Sequence, residues 1–334
     1  MKKKLSLFLV LLFAFGTLAE ANLDYDKDGK KFPPIFYSYK SEKNGKFEVY
    51  VKTGEKSYIL FNIFHEYAPK IYQNLWRIKD SFMCDFDYNK GEMIKKYPVL
   101  TGGENEFVWF SARPGVGEAT GGFHGNERID VDDKCFVKFY ADNKELKFNE
   151  DIPLTSASSF YYIQYSTMHE TGTGGLIHSS TYKPVEGYPV ECYHEKKTIF
   201  KDMGYVTKNK VWWETEVPVD HVYYGIFCVT KDISKYGYND DKNKKPNIIE
   251  FNEDGQFKLK SANPRIVMYN DEKGIRVVCD SKVIKGGPFE QNTTIRDHDF
   301  YHKYYRGIHS ERPIIASKGD IWETEASISF ILGK

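Results

Sequence analysis

Eight short runs suited to extended chain, punctuated by turn signals, constrain this sequence more than any other feature. They cover residues 46–53, 107–111, 135–141, 160–166, 210–217, 222–229, 275–279 and 327–332. Between such runs stand Asn44-Gly45, Asp142-Asn143-Lys144, Asp254-Gly255 and Glu272-Lys273-Gly274, residue types that accept the positive φ of hairpin turns. The 25 tyrosines and 24 phenylalanines favour the pleated sheet. Strand runs without alternating helical periods predict an all-β protein, an antiparallel β-sandwich or jelly roll with few short helices. One helix is expected over residues 69–80, where Ile71, Leu75 and Ile78 can share a face. Residues 235–247, rich in lysine and aspartate, read as an exposed insertion loop.

The N-terminus reads as an export signal. Lys2, Lys3 and Lys4 precede an apolar run from Leu5 to Phe15, broken only by Ser6, and Ala19-Glu20-Ala21 offers small residues for cleavage. Residues 1–21 are therefore expected to be a signal peptide, 22–34 a polar leader, and 35–334 a single large β-domain, secreted or periplasmic. No later apolar stretch approaches membrane length, so no membrane insertion is expected. Cleavage removes three lysines and one glutamate from a balanced 47 and 47, leaving a net charge of about −2. That balance argues against nucleic acid as a partner, since phosphate binding needs a basic surplus. The five cysteines are widely spaced, odd in number and form no CxxC pair; mostly buried free thiols are expected, with room for one bridge.

Several chemistries lose their motifs. Asp24-Tyr25-Asp26-Lys27-Asp28-Gly29 opens like a calcium loop, but the twelfth position, Ile35, carries no carboxylate. His169-Glu170 lacks the second histidine of a zinc protease helix. No GxSxG elbow, Walker loop or dinucleotide fingerprint occurs. No cofactor and no metal is expected.

The segment Gly121-Gly122-Phe123-His124-Gly125-Asn126-Glu127-Arg128, which follows the glycine-rich Arg113–Gly117, is the most unusual. Its glycines permit close backbone approach, and its polar side chains offer a base, a neutral donor, a carboxylate and a bidentate cation. As a strand it would place His124, Asn126 and Arg128 on one face and Glu127 on the other. In residues 160–165, Tyr161, Ile163 and Tyr165 are expected to face the core and Tyr162 and Gln164 a groove. His194 and Lys196 share a strand face with Cys192; His178 follows Gly174-Gly175 in a loop; His302, Tyr304 and Arg306 alternate along residues 301–306.

Tyr, His, Arg and Gln repeated on strand faces suit a sugar chain lying across a concave sheet. For a uronate, β-elimination needs a group that neutralises the carboxylate, a base for the adjacent carbon's proton and an acid for the departing oxygen. His124, Tyr162 and His194 are the candidate catalytic residues. Asn126, Arg128, Gln164, His178, Lys196, Tyr304 and Arg306 are the candidate substrate contacts. An acidic polysaccharide is the expected partner.

The GGFHGNE stretch, the aromatic strands and the pair HEKKTIF…KVWWETEV resemble secreted or phage-associated polysaccharide-degrading β-sandwich proteins, jelly-roll polysaccharide lyases in particular, over about residues 45–330. The resemblance implies elimination on a uronate-containing polysaccharide. The Gln-x-His strand of alginate-cleaving members is departed from here, since Tyr165-Ser166 follows Gln164, and their YFKAG strand is absent. Two other readings stand beside it: a glycoside hydrolase pairing Glu127 with Glu170, Glu195 or Glu214, and a non-catalytic carbohydrate-binding or surface structural protein.

Overall fold

Hairpins dominate because the turn residues stand where the backbone reverses. Asp142 and Asn143, at φ 47° and 60°, link the strands Phe136–Ala141 and Lys144–Glu145. Gly45, at φ 72°, precedes the strand Lys46–Lys52, which pairs back on Ile35–Lys40. The computed structural model describes residues 32–42, 44–102, 104, 106–112, 119–169, 190–238, 247–251, 265–287 and 292–333, apart from the side chains of 119, 292 and 308–312. The signal and most of the leader, the calcium-like opening, Arg113–Gly117, Glu170, His178, residues 239–246 and Asp254-Gly255 lie outside the described residues.

The fold is all-β; among the described residues 22 strands link into one hydrogen-bonded system, and Pro33–Lys334 forms one compact unit. One half runs Ile152–Ala157, Ile35–Lys40, Lys46–Lys52, Ser57–Ala68, Gln73–Asp87 and Glu92–Leu100. It continues through Leu100 and Val229 into Val217–Thr230, which is flanked by Val108–Ser111 on one side and Tyr301–Ala316 on the other. The other half centres on Phe136–Ala141, Phe160–His169, Val190–Lys201, Gly204–Trp213, Ile321–Leu332 and Ile275–Lys285. Among the described residues all pairings are antiparallel except that of Glu127–Arg128 with Gln73–Asp87, through Asn74 and Arg128. The same short strand pairs antiparallel with Phe160–His169 and so joins the two halves.

Aromatic rings from the two halves meet in the main core. Phe47 stacks on Phe139 at 4.1 Å, Phe61 meets Tyr205 edge-on at 5.2 Å, and Tyr37 packs on Phe160 at 5.3 Å. Fully burying each such ring contributes about 1.5–3 kcal/mol.

The expected helix over 69–80 is instead a single 3-10 turn, Pro69–Ile71, followed by the strand Gln73–Asp87. Tyr72, at φ 52°, ends the turn. Residues 73–78 are buried on both strand faces, which erases the two-residue alternation and leaves an apolar spacing that imitates a helix. The run 210–217 spans two elements: one strand ends at Trp213 and the next begins at Val217. The loop expected at 235–247 opens with a strand, Lys235–Tyr238, whose Tyr236 is fully buried. All five cysteines are free; Cys84, Cys192, Cys228 and Cys279 are buried and Cys135 is half-buried. Among the described residues no helix is long and apolar enough to cross a membrane.

Candidate functional site

Val217–Thr230 carries one end of an aromatic surface. His221 stacks on Phe110 of the neighbouring strand at 3.9 Å, and Tyr223 stands edge-on to the same Phe110 at 6.0 Å. Across the other edge Tyr223 packs on Tyr305 at 5.0 Å. Its backbone partner there is Gly307, where a side chain would collide with the Tyr223 ring. Lys303 lies over Tyr305 at 4.6 Å, the Tyr305 hydroxyl is 3.5 Å from His298 Nε2, and the His298 and Tyr301 rings are 4.9 Å apart. His221, His298, Tyr223, Tyr301 and Tyr305 are all half-buried, within reach of solvent.

Beneath this surface sit two carboxylates. Glu104 accepts hydrogen bonds from Tyr301 at 3.0 Å and from Lys303. Glu106 accepts the backbone N–H of Phe123 on Oε2. The His124 imidazole, with 24% of its side chain exposed, approaches Glu106 at 3.6 Å and Glu104 at 4.0 Å. Burial, reinforced by Glu104, pushes the Glu106 carboxyl up to about 8. Burial also works against ionised Glu104, but Lys303 more than offsets it and holds that carboxyl below its usual range. Burial, with Arg296 and Lys303 nearby, lowers His298 and so keeps its imidazole neutral at pH 7. Burial lowers His221 too, against the opposing pull of Asp220 at 2.6 Å. Tyr301 is raised by burial and by Glu104, and Tyr223 is pushed up to about 12 by burial, so both phenols stay protonated. Next to this cluster opens a cleft of about 410 Å³ lined by Glu66, Arg77, Lys79, Asp80, Gly102 and Phe123.

A second histidine–carboxylate cluster lies on the inner side of the sheet. Glu127 Oε1 accepts from Ser166 at 2.7 Å and from Gln164 at 3.4 Å, and lies 2.9 Å from His194 Nδ1; Oε2 accepts the Gly122 N–H at 2.8 Å. His194 Nε2 meets Asn209 at 3.1 Å, and Lys196 donates to the Trp76 carbonyl at 3.3 Å. Glu127 and His194 are each 1% exposed. Burial would raise Glu127, but His194, Lys196 and the Gly122 N–H overcome it and hold the carboxyl at about 2. Such a fully satisfied buried network rigidifies and locks the 121–128 segment to the sheet.

The predicted site residues are thus divided. His124 reaches the outer cluster; Gln164, His194 and Lys196 gather around Glu127 in the interior, sealed from solvent. Tyr162 is 1% exposed and packs on Phe139 at 5.3 Å in the core, so it does not face a groove. Residues 121–128 are not one strand: Gly122–His124 is a 3-10 turn and Asn126, at φ 55°, is buried. His124, Asn126 and Arg128 therefore do not share a face, and Arg128 pairs with Asp130 at 2.7 Å over the Tyr72 ring. Tyr304 bonds Ser281 at 2.8 Å and Arg306 bonds Thr293 at 2.8 Å, both buried; His302 is 3% exposed. His178 lies outside the described residues. Glu127 faces the interior while Glu195 is half-buried on the opposite strand face, so these two do not form a carboxylate pair across a groove.

Sequence reasoning passed over Glu104, Glu106, His221, His298, Tyr301, Lys303 and Tyr305. Two signals were present. Gly102-Gly103-Glu104-Asn105-Glu106 sets alternating carboxylates after a glycine pair, and Tyr301, Lys303 and Tyr305 are the odd positions of a run read for its even ones.

No family model matches the chain, and no curated protein matches its sequence. Among solved structures, the Slr1438 protein from Synechocystis sp. PCC 6803 is similar at TM-score 0.38 and 6% identity, over 90% of this chain and 97% of that one. A heparinase III with methylated lysines aligns at TM-score 0.35 and 11% identity, over 91% of this chain and 37% of its own. A mutant of the heparan sulfate lyase HepC from Pedobacter heparinus aligns at TM-score 0.35 and 8% identity, over 87% of this chain and 36% of its own. The chain spans little more than a third of these two lyases. The likeness to polysaccharide lyases is diffuse.

Proposed function

We propose that this protein, acting outside the cytoplasm after export, cleaves a uronate-containing polysaccharide by β-elimination on the outward face of the strands Val217–Thr230 and Tyr301–Ala316. The observation that carries the reading is the half-buried His298 imidazole set beside the phenols of Tyr301 and Tyr305, its basicity lowered by burial, with Lys303 and a cleft close by. His298 takes the proton from C5 of the uronate. The electron pair left behind forms the C4=C5 double bond as the C4–O bond breaks. The departing oxygen takes the phenolic proton of Tyr305, and the proton held on His298 then passes to that phenolate across their 3.5 Å contact, which restores both groups. Phe123, lying under Arg77 at 5.1 Å, offers a ring on which a neighbouring sugar stacks in the cleft. The half-exposed rings from Phe110 to Tyr305 extend that contact along the sheet.

A panel of uronate polysaccharides, read by the ultraviolet absorbance of the new conjugated double bond, tests the reading. His298→Ala should lower kcat/KM by about 10²–10⁴-fold with an unchanged circular dichroism spectrum. New reducing ends without the absorbance make the protein a hydrolase. Binding with neither signal makes it a carbohydrate-binding protein, and either result overturns elimination.

A further inference from the structure

We propose that Glu104, Glu106 and His124 bind a divalent cation of the Mn²⁺ or Zn²⁺ class. One ligand atom from each, a carboxylate oxygen of either glutamate and His124 Nε2, lies within 4.8 Å of the others. The His124–Glu106 and His124–Glu104 separations of 3.6 and 4.0 Å need to close by only a few tenths of an ångström around an ion held at about 2.0–2.2 Å. An imidazole with two carboxylates selects these ions over Ca²⁺, which takes oxygen ligands.

An independent observation points the same way. The Glu106 side chain is 3% exposed, and among the described residues no hydrogen bond reaches its Oε1 atom, the one nearest His124. A buried carboxyl oxygen left without a hydrogen-bond partner is destabilising. A cation placed between Oε1 and the imidazole removes that deficit.

The ligands are also held in place beforehand. Glu106 Oε2 is fixed by the Phe123 N–H, and Glu104 by Tyr301 and Lys303. The turn bearing His124 is pinned through Gly122, whose N–H donates to Glu127 and whose carbonyl accepts from Gln73. Lys303 offsets the charge of Glu104, and an entering dication takes the place of the proton on Glu106.

A role for the ion rests on the elimination reading. Through the exposed side of His124 it would meet the uronate carboxylate and withdraw charge from it as C5 loses its proton. Ion binding itself is independent of that reading and is tested without substrate. Chelator-treated full-length protein is titrated with Mn²⁺, followed by electron paramagnetic resonance. Mn²⁺ is chosen because it competes poorly for the half-buried Cys135 thiol. One bound ion per chain is expected, at least tenfold weaker in Glu106→Gln and lost in His124→Ala, with circular dichroism of both variants unchanged. Absence of stoichiometric binding, or equal binding by wild type and His124→Ala, overturns the site. Mn²⁺ binding without elimination on any uronate overturns the function and leaves the site standing, whereas full elimination in chelator overturns only the ion's catalytic role.

Discussion

Two histidine–glutamate pairs lie on either side of one short turn and have opposite characters. Glu127–His194 is sealed: every carboxylate oxygen has a donor, and the carboxyl is held at about 2. Glu106–His124 is open at the imidazole, leaves Glu106 Oε1 without a hydrogen-bond donor, and has a carboxyl raised to about 8. The residue types are the same; the difference is donor count. Burial opposes ionisation at both glutamates, and only the one supplied with enough donors and cations stays a carboxylate. The first pair is built to hold the fold and the second to meet a ligand.

The sharpest way to break this contrast is to remove each carboxylate in turn. Glu127→Ala leaves His194 and Ser166 buried without their acceptor and should cost about 3–5 kcal/mol in urea unfolding, the range for a broken buried ion pair. Glu106→Gln should stay within about 1 kcal/mol, since its loss uncovers no buried partner of that kind. Equal destabilisation would show that both pairs are structural.

Acid sharpens the contrast next. Glu127 is faced by His194 and Lys196, and its carboxyl in the fold lies below the unfolded value of 4.5. Its contribution is therefore complete above that value and is lost as pH falls toward about 2. Over that window the fold should lose about 3 kcal/mol through this group. Glu127→Gln should flatten that part of the stability–pH curve; an unchanged slope would reject the assignment.

A smaller effect than that of removing Glu127 is expected at the joint between the two pairs. Gly122, at φ 52°, would press a Cβ into the Glu106 carboxylate while its N–H serves Glu127. Gly122→Ala should cost about 1–3 kcal/mol through backbone strain and displacement. It should weaken Mn²⁺ binding as well, because the turn carrying His124 must shift. A variant that loses stability but keeps full Mn²⁺ affinity would uncouple the two clusters.

Much of the architecture was legible in the residues. Hairpin turns at Asn44-Gly45, Asp142-Asn143 and Lys273-Gly274 fall between paired strands, as their tolerance of positive φ requires. The segment 121–128 was legible as unusual, and the structure sets its His124 beside Glu104 and Glu106. Face assignment was not. Tyr162 and Gln164 point inward where Tyr161, Ile163 and Tyr165 were expected, and in residues 301–306 Tyr301 and Tyr305 reach the surface while His302, Tyr304 and Arg306 are buried along with Lys303. Both runs carry aromatics on both faces, so the alternation marks two sides without saying which side is the core.

The sequence by itself determined that this chain is strand-built, where its tight turns fall, and that glycines crowd one histidine. Only the tertiary structure decided which side of each strand was sealed, and with it which glutamate was satisfied and which was left to a ligand. The reason is physical: a two-residue period fixes alternation within a strand, but inside and outside exist only once a second layer packs against it.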